Sequence, residues 1–408
     1  MFRTVAAASL ALATTSFVSA SANELVINAN TSDPAPKAAF TQVVEDFRAA
    51  NPDIDVEFNI TDHEAYKTAI RGWLTAQAPD VVFWFAGNRM AAFADRGLLE
   101  DVSDVWADNN MYENFASTRD SLTIDGKQFG VPYGYYQWGV YYRKDIFDEV
   151  GLSVPETFDD LLNACAVLNE NGITPVTIGT KFLWTAAGWF DYVNLRTNGL
   201  KFHIDLMLGD VPYTDDRVRA TFDNWRKLID ADCFLENHTS YSWQEAQPFL
   251  YNGEAAMYLI GNFITPNFPD EVKDDMDFFQ FPIIDASVPI AEDAPTDTIH
   301  IPTRAENKDN ARKFLAFVAQ QDQQQKINEA MLRLPPHKGA KAKDDKYLNK
   351  GAAMLSAAAG TAQFYDRDTT PEMAKIGMEG FQEFMVRPDN IDEILERLEK
   401  ARQRIFEN

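Results

Sequence analysis

Apolar positions in the first part of the chain alternate between the spacing of strands and the spacing of helices. Strand patterns occupy Glu24–Asn28, Asp55–Ile60 and Val81–Phe85. Helix patterns come after each of them, at 40–51, 61–73 and 88–96. This order predicts parallel strands joined by crossover helices, and therefore a doubly wound α/β lobe.

Two sequences of the form Ser/Thr-x-x-Glu predict helix starts. Thr61 with Glu64, and Ser242 with Glu245, have the spacing of a capping box, in which each side chain bonds to the other residue's backbone N–H.

The pattern changes after Gly130. Tyr133–Tyr142 is extended and rich in aromatic residues, and the chain beyond it is mostly helical. Helices are predicted at 157–171, 184–198, 215–232, 241–252 and 391–405, and strands at 255–260, 278–282 and 298–301. The chain has 408 residues, more than a single domain usually has, and it contains no long linker. We therefore predict two lobes.

Residues 1–22 have the pattern of a secretory signal peptide. Arg3 is followed by the apolar stretch Val5–Val18, and Ala20-Ser21-Ala22 fits a cleavage site before Asn23. No later stretch approaches roughly 18 uninterrupted apolar residues, so we expect no membrane span. The expected location is the periplasm.

The charge balance excludes one class of partner. The chain has 37 Lys and Arg against 62 Asp and Glu, a formal net charge of −25. Such a surface repels phosphate backbones, so we expect no nucleic-acid partner. Small neutral or cationic ligands remain open.

The chain has two cysteines, Cys165 and Cys233. Neither has a Cys or His at ligand spacing, and the five histidines are scattered, so no metal site or cofactor is expected. In an oxidising compartment the two cysteines form either a disulfide or two buried thiols, and the sequence leaves both open.

Candidate ligand residues lie where the predicted strands end. In open α/β sheets, ligands bind beyond the carboxyl ends of strands. Here these ends carry Asn30, His63, Asn88 and Arg89, which suit hydrogen bonds to neighbouring hydroxyl groups.

Aromatic residues cluster near the same places. Trp84 ends a strand, Tyr136 and Trp138 lie in the extended segment, and Trp184 and Trp189 open a helix. Flat rings beside Asn, Asp and Arg form the kind of pocket that a sugar needs, with one face to stack and hydroxyls to bond.

Most signatures of enzymes are missing. The sequence has no G-x-S-x-G, H-E-x-x-H, P-loop or G-x-G-x-x-G motif. A pair of carboxyl groups for glycoside hydrolysis stays open, because such a pair is defined in space and not by spacing.

Several segments resemble the extracellular solute-binding proteins of sugar ABC transporters, the family that includes maltose-binding protein. They are Ala78–Trp84, Gly97–Glu100, Asp125–Pro132, Tyr142–Phe147, Thr157–Leu161 and Gly253–Met257. Their order and spacing carry the resemblance, which extends over essentially the whole chain after the signal peptide.

The resemblance implies two α/β lobes joined by crossover segments and closing on the ligand like a hinge. We assign 23–134 and 290–320 to the N-terminal lobe, and 135–289 and 321–408 to the C-terminal lobe.

The resemblance also implies residues at the sugar. Those carried over from the family pattern are Trp84, Asn88, Arg89, Tyr136, Asn262, Phe263, Asp297 and His337. For Asn30, His63 and Trp243, a role in sugar binding competes with a role in helix capping or core packing. Trp138, Trp184 and Trp189 lie where the second lobe of the family usually presents aromatic rings.

The implied function is a periplasmic binding protein, a monomer without enzymatic activity, that delivers a neutral mono- or oligosaccharide to an inner-membrane ABC permease. A receptor for a non-sugar solute and a secreted glycoside hydrolase are the alternatives.

Overall fold

The computed structural model describes residues 23–407, so the predicted signal peptide, 1–22, lies outside the described residues. The strands are β1 Glu24–Ala29, β2 Asp55–Ile60, β3 Val81–Phe85, β4 Thr123–Ile124, β5 Lys127–Gln128, β6 Val131–Tyr135, β7 Trp138–Arg143, β8 Thr174–Val176, β9 Ala255–Gly261, β10 Met276–Phe279, β11 Glu292–Asp293, β12 Thr296–His300 and β13 Thr361–Ala362.

The helices are α1 Pro34–Ala50, α2 His63–Thr75, α3 Asn88–Ala94, α4 Ser103–Asp108, α5 Met111–Asn114, α6 Lys144–Val150, α7 Phe158–Glu170, α8 Trp184–Met207, α9 Asp216–Asp230, α10 Gln247–Tyr251, α11 Lys308–Val318, α12 Gln321–Met331, α13 Lys346–Ala357, α14 Tyr365–Asp368, α15 Pro371–Val386 and α16 Ile391–Phe406.

The first lobe is built on a five-stranded sheet in the order β2-β1-β3-β12-β6. β1 is parallel to β2 and β3, as the strand and helix alternation predicts, whereas β12 is antiparallel to both β3 and β6. The buried face of α1 packs on this sheet through Phe40 and Phe47.

The second lobe is built on a four-stranded sheet in the order β10-β7-β9-β8. β7 is antiparallel to its neighbours β9 and β10, and β8 is parallel to β9. Its large aromatic core includes Trp189, Phe190, Trp225, Tyr258 and Phe381. The expected class, a two-lobed α/β fold, is confirmed.

The chain crosses between the lobes three times. β6 in the first sheet leads directly into β7 in the second, β11 leads into β12, and the chain returns to the second lobe after α12. Short crossings of this kind permit a hinge motion of one lobe against the other.

The lobe boundaries differ from the predicted ones at 290 and 320. α12 packs against α1, and its Ile327 and Met331 belong to the first lobe's core, so that lobe continues to residue 331. β11 pairs with β13, which places 292–293 with the second lobe instead.

Some helix starts also differ. The side chain of Asp62, not Thr61, caps α2 by accepting the N–H groups of Glu64 and Ala65. Ser242 and Glu245 do make the reciprocal bonds of a capping box, but α10 covers only Gln247–Tyr251 of the helix predicted at 241–252.

Cys165 and Cys233 form a disulfide in the second lobe, where α7 and the segment after α9 meet. The disulfide excludes the alternative of two free thiols. Among residues 23–407, no helix is long and apolar enough to cross a membrane.

Candidate functional site

A cavity of about 100 Å³ lies between the two lobes. The ends of β1, β3 and β6, the start of α2, and β12 supply the first lobe's side. The second lobe supplies the start of β7, the start of α8, the turn after β9 and α14. Because each sheet stops at this cleft, side chains from distant parts of the chain meet there.

Two turns bring polar groups of the first lobe to the cavity. Asn30 and Thr31 follow β1, and His63 opens α2 after β2, with its Nδ1 3.5 Å from Asn30 Nδ2. Burial, with the nearby charges of Lys67 and Arg367, lowers the pKa of His63 well below its ordinary value. His63 is therefore neutral near pH 7.

A buried carboxylate between two arginines forms the floor. Asp297 lies on β12 directly opposite Phe85 of β3. Its Oδ2 accepts from Arg333 Nη1, and its Oδ1 is 3.1 Å from Arg367 Nη1. All three side chains are less than a tenth exposed. The group presents charged hydrogen-bonding atoms in fixed positions.

Tyr136 connects this group to the crossing between the lobes. The Arg333 guanidinium lies 4.7 Å from the Tyr136 ring centre, and Arg367 Nη2 donates to the Tyr136 hydroxyl at 3.1 Å. Burial raises the pKa of Tyr136 to about 12, so the hydroxyl keeps its proton.

The second lobe contributes aromatic rings to the opposite side. Trp138 stacks on Phe364, with ring centres 4.7 Å apart, while Trp184, Trp243 and Phe263 meet at steep angles. A Cβ on Gly261 would lie 2.4 Å from the Phe263 ring, so glycine permits Phe263 to fold back beside β9. These rings form an apolar wall.

The short helix α14 connects both lobes to the cavity. Asp366 pairs with Arg89, Arg367 with Asp297, and the Asp368 carbonyl accepts from Asn88 Nδ2 at 2.7 Å. Burial opposes ionisation of Asp366, but the charges of Arg89, Lys67 and Arg367 outweigh it and lower its pKa.

The residue before α14 has a strained backbone. Phe364 has φ 147°, which non-glycine residues rarely adopt. The carboxylates of Asp368 and Asp191 hold it by accepting the N–H groups of Gln363, Phe364 and Tyr365. Burial raises the pKa of Asp368 to about 6.

Four buried polar atoms of lining residues have no hydrogen-bond partner within the described chain. They are the Thr31 hydroxyl, the Trp138 indole N–H, Asp297 Oδ1 and Arg333 Nε. An unsatisfied buried polar group costs free energy, so this set of donors and acceptors suits a ligand that bears hydroxyl groups.

The cavity gathers many of the residues predicted from sequence. Those that line it are Asn30, His63, Tyr136, Trp138, Trp184, Trp243, Phe263 and Asp297.

The structure does not bring Trp84 to the cavity. Successive strand residues point to opposite faces, so Phe85 faces the cleft and Trp84 packs behind it on Phe93. Trp84 Nε1 donates to the Arg89 carbonyl at 3.0 Å. Trp84 is therefore a core residue with its hydrogen bond satisfied.

Asn88 and Arg89 also lie outside the cavity. Their side chains bond to α14, so they support the cavity-lining Asp366 and Arg367 from behind. Asn88 and Arg89 were predicted to bind ligand because they lie at the start of a helix. In the structure this position places their side chains against α14.

Three further predicted residues have structural contacts instead. Trp189 is fully buried against Phe234. Asn262 accepts from Gln137 Nε2 and Tyr141 Oη, each at 2.9 Å.

His337 packs on the edge of Phe115, and its Nδ1 accepts the Gly339 N–H at 3.0 Å. It does not line the cavity.

Sequence reasoning missed several lining residues. They are Thr31, Lys67, Phe85, Arg333, Phe364, Asp366 and Arg367. Phe85 follows from strand alternation once the orientation of β3 is known. Nothing local distinguishes 364–367, because this segment follows a two-residue strand and reaches the cleft through tertiary contacts alone.

Within residues 23–407 no group of three or more His, Cys, Asp or Glu side chains could hold a metal ion.

Comparisons with known proteins agree with this architecture. The family model of bacterial extracellular solute-binding proteins matches residues 31–325. An uncharacterized ABC transporter extracellular-binding protein of Pyrococcus horikoshii is 26% identical over 315 residues, covering 75% of this chain and 70% of that protein. The α-glucosides-binding periplasmic protein AglE of Rhizobium meliloti is 26% identical over 251 residues, covering 56% of this chain and 54% of that protein.

Solved structures match over nearly the whole chain. The bacterial solute receptor AcbH, described as having an exclusive preference for β-D-galactopyranose, has a TM-score of 0.89 and 30% identity, covering 94% of this chain and 99% of AcbH. Maltose-bound MalE3 of T. maritima has a TM-score of 0.76 and 19% identity, with 94% and 99% covered, and shares the fold.

Proposed function

The chain belongs to the bacterial extracellular solute-binding proteins, and we propose that it captures a neutral sugar between its lobes and delivers it to an ABC importer of the inner membrane. The sugar is bound in the periplasm and released without chemical change. The observation that carries the proposal is a cavity with an aromatic wall on one side and charged hydrogen-bonding groups on the other.

This composition matches the two kinds of surface on a pyranose. The ring's C–H groups stack on aromatic faces such as Trp138, while its hydroxyls both donate and accept. Asp297 accepts, the arginines donate, and Thr31 can do either. AcbH, described as preferring β-D-galactopyranose, and AglE, named for binding α-glucosides, support a sugar ligand.

The balance of charge supports a neutral ligand. Asp297 pairs with Arg333 and Arg367, Arg89 pairs with Asp366, and Lys67 lies 3.1 Å from Glu64. Since the cations already face carboxylates, a charged ligand would add an uncompensated charge to a buried site.

Capture involves closure of the lobes. A ligand that contacts both walls binds the closed form more tightly than the open one, and so shifts the population toward closure. The closed form is the one that docks on the permease.

A thermal-shift panel tests the proposal. We expect a neutral saccharide to raise the Tm, because a ligand that binds only the folded state stabilises it, by about 2.7 kcal/mol at a hundredfold excess over Kd. Amino acids and polyamines should leave the Tm unchanged. A rise with one of these and none with any sugar would support the non-sugar receptor instead.

A further inference from the structure

The two lobes touch each other directly at the mouth of the cavity. Trp184 Nε1 at the start of α8 donates to Glu64 Oε1 in the first turn of α2, at 3.2 Å. A second bond, of 3.4 Å, joins Gln244 Nε2 to Asp33 Oδ1 just before α1. Trp184 and Asp33 both line the cavity, so these bonds connect its opposite walls.

The Trp184 ring adds apolar closure to the first contact. Its centre lies 6.1 Å from Trp138, 6.2 Å from Phe263 and 6.3 Å from Trp243. The ammonium group of Lys67, across the cleft, is 5.9 Å from the same ring. An oligosaccharide that extended out of the cavity on this side would have to displace the Trp184 ring, which contacts other side chains on several sides.

A buried charged group forms a second boundary of the cavity. Asp297 lies between Arg333 and Arg367, and Phe364 stacks on Trp138 beside them. Displacing this group would separate buried charges, which costs far more than moving an exposed side chain.

The space between the walls is small. A cavity of roughly 150 Å³ holds one benzene ring, so about 100 Å³ has room for about one six-membered ring. A hexose has one such ring, whereas a disaccharide has two.

We propose that the cleft is a monosaccharide site, which encloses one pyranose and excludes longer saccharides because Glu64 with Trp184, and Asp33 with Gln244, close its mouth. The inference rests on the proposed function and narrows it to a size class. A disaccharide can enter only if these two cross-lobe contacts break.

Isothermal titration calorimetry on the purified chain tests the size limit. The probes are D-galactose and D-glucose against lactose, melibiose and maltose. We expect one of the monosaccharides to bind, and every disaccharide that contains it to bind at least about 100-fold more weakly, since two hydrogen bonds and ring contacts are lost. A disaccharide that binds as tightly as its monosaccharide overturns the size limit but leaves sugar binding intact. No heat with any of the five sugars, together with no rise in Tm for any saccharide of the thermal-shift panel, contradicts sugar binding itself.

Two variants test the closing contact. Trp184→Ala should reduce the ratio of disaccharide to monosaccharide Kd by about tenfold, and Glu64→Ala should reduce it by a smaller factor, because each loses the cross-lobe hydrogen bond. Phe182→Ala is the matched control, since Phe182 is 40% exposed and does not line the cavity. If both variants fold and the ratio stays at the wild-type value, these residues do not close the site.

Discussion

The two walls of the cleft differ in chemistry and in how they are held. The first lobe presents Asn30, Thr31, His63 and Asp297, polar groups set at strand ends by a sheet. The second lobe presents mainly aromatic rings, held by one another and by a strained segment at Phe364. Under the proposed function, the first wall is the one that recognises hydroxyls and the second is the one that stacks on the sugar ring.

The largest effect is expected at the centre of the polar wall. Asp297→Ala leaves Arg333 and Arg367 buried without their shared carboxylate, which should lower the free energy of unfolding by about 3–5 kcal/mol. Chemical denaturation measures this change, and sugar binding should be lost.

Asp297→Asn tests recognition at the same position with the shape of the side chain preserved. It preserves the shape but loses the charge-assisted bonds, worth about 1.5–3 kcal/mol, so sugar affinity should fall by about 10- to 100-fold. Unchanged affinity in this variant would remove Asp297 from the polar wall.

The disulfide tests whether the second lobe's core can be weakened without affecting its wall. Replacing Cys165 and Cys233 together by alanine should lower the free energy of unfolding by about 2–4 kcal/mol, because the bond closes a long loop. We expect sugar affinity within about twofold of wild type by calorimetry. A large loss of affinity would mean that core and wall are coupled.

A matched pair of tryptophans distinguishes wall from core. Trp138→Phe keeps a ring in the cleft but removes the unpartnered indole N–H, so affinity should fall by about 2- to 10-fold, the equivalent of one neutral hydrogen bond.

Trp84→Phe is the control for that variant. It loses the bond to the Arg89 carbonyl, which should cost about 1 kcal/mol of stability while affinity stays unchanged. If Trp84→Phe weakens sugar binding more than Trp138→Phe does, the placement of the two rings is contradicted.

The smallest effect concerns pH. Asp368 has its pKa raised by burial from 3.8 to about 6, so the folded state holds a proton that the unfolded chain releases. This group's contribution to stability is fully present below pH 3.8 and is lost as pH rises through about 6.

Thermal unfolding of Asp368→Asn should accordingly show a shallower fall in Tm between about pH 5 and pH 7 than the wild type. Asp53→Asn, at an exposed position, is the matched control and should keep the wild-type slope. If Tm falls with pH at the same slope in the wild type, Asp368→Asn and Asp53→Asn, then Asp368 is not the titrating group.

The first wall was easier to predict than the second, for physical reasons. Hydrophobic spacing predicts β1, β2 and β3, and the carboxyl ends of parallel strands must share one edge, so Asn30 and His63 follow from local pattern. The same reasoning put Trp84 in the site, whereas its neighbour Phe85 lines the cavity. The face of a strand that points to the cleft is set by what the strand packs against, and the strand's own sequence does not decide it.

The second wall depends on contacts between distant parts of the chain. Phe364 and Arg367 reach the cavity only because buried carboxylates hold a one-turn helix against both lobes. Local pattern contains no sign of this. Arg333 is similar, since it follows α12, and the predicted boundary at 320 assigned that segment to the other lobe.

Hydrogen–deuterium exchange, with and without the monosaccharide that raises the Tm most, tests the central claim that a sugar is held between both walls. We expect slower exchange in 28–33 of the first lobe and in 134–139 and 361–368 at the second wall, with no change in 391–406. Protection confined to one lobe, or located away from the cleft, would contradict the claim.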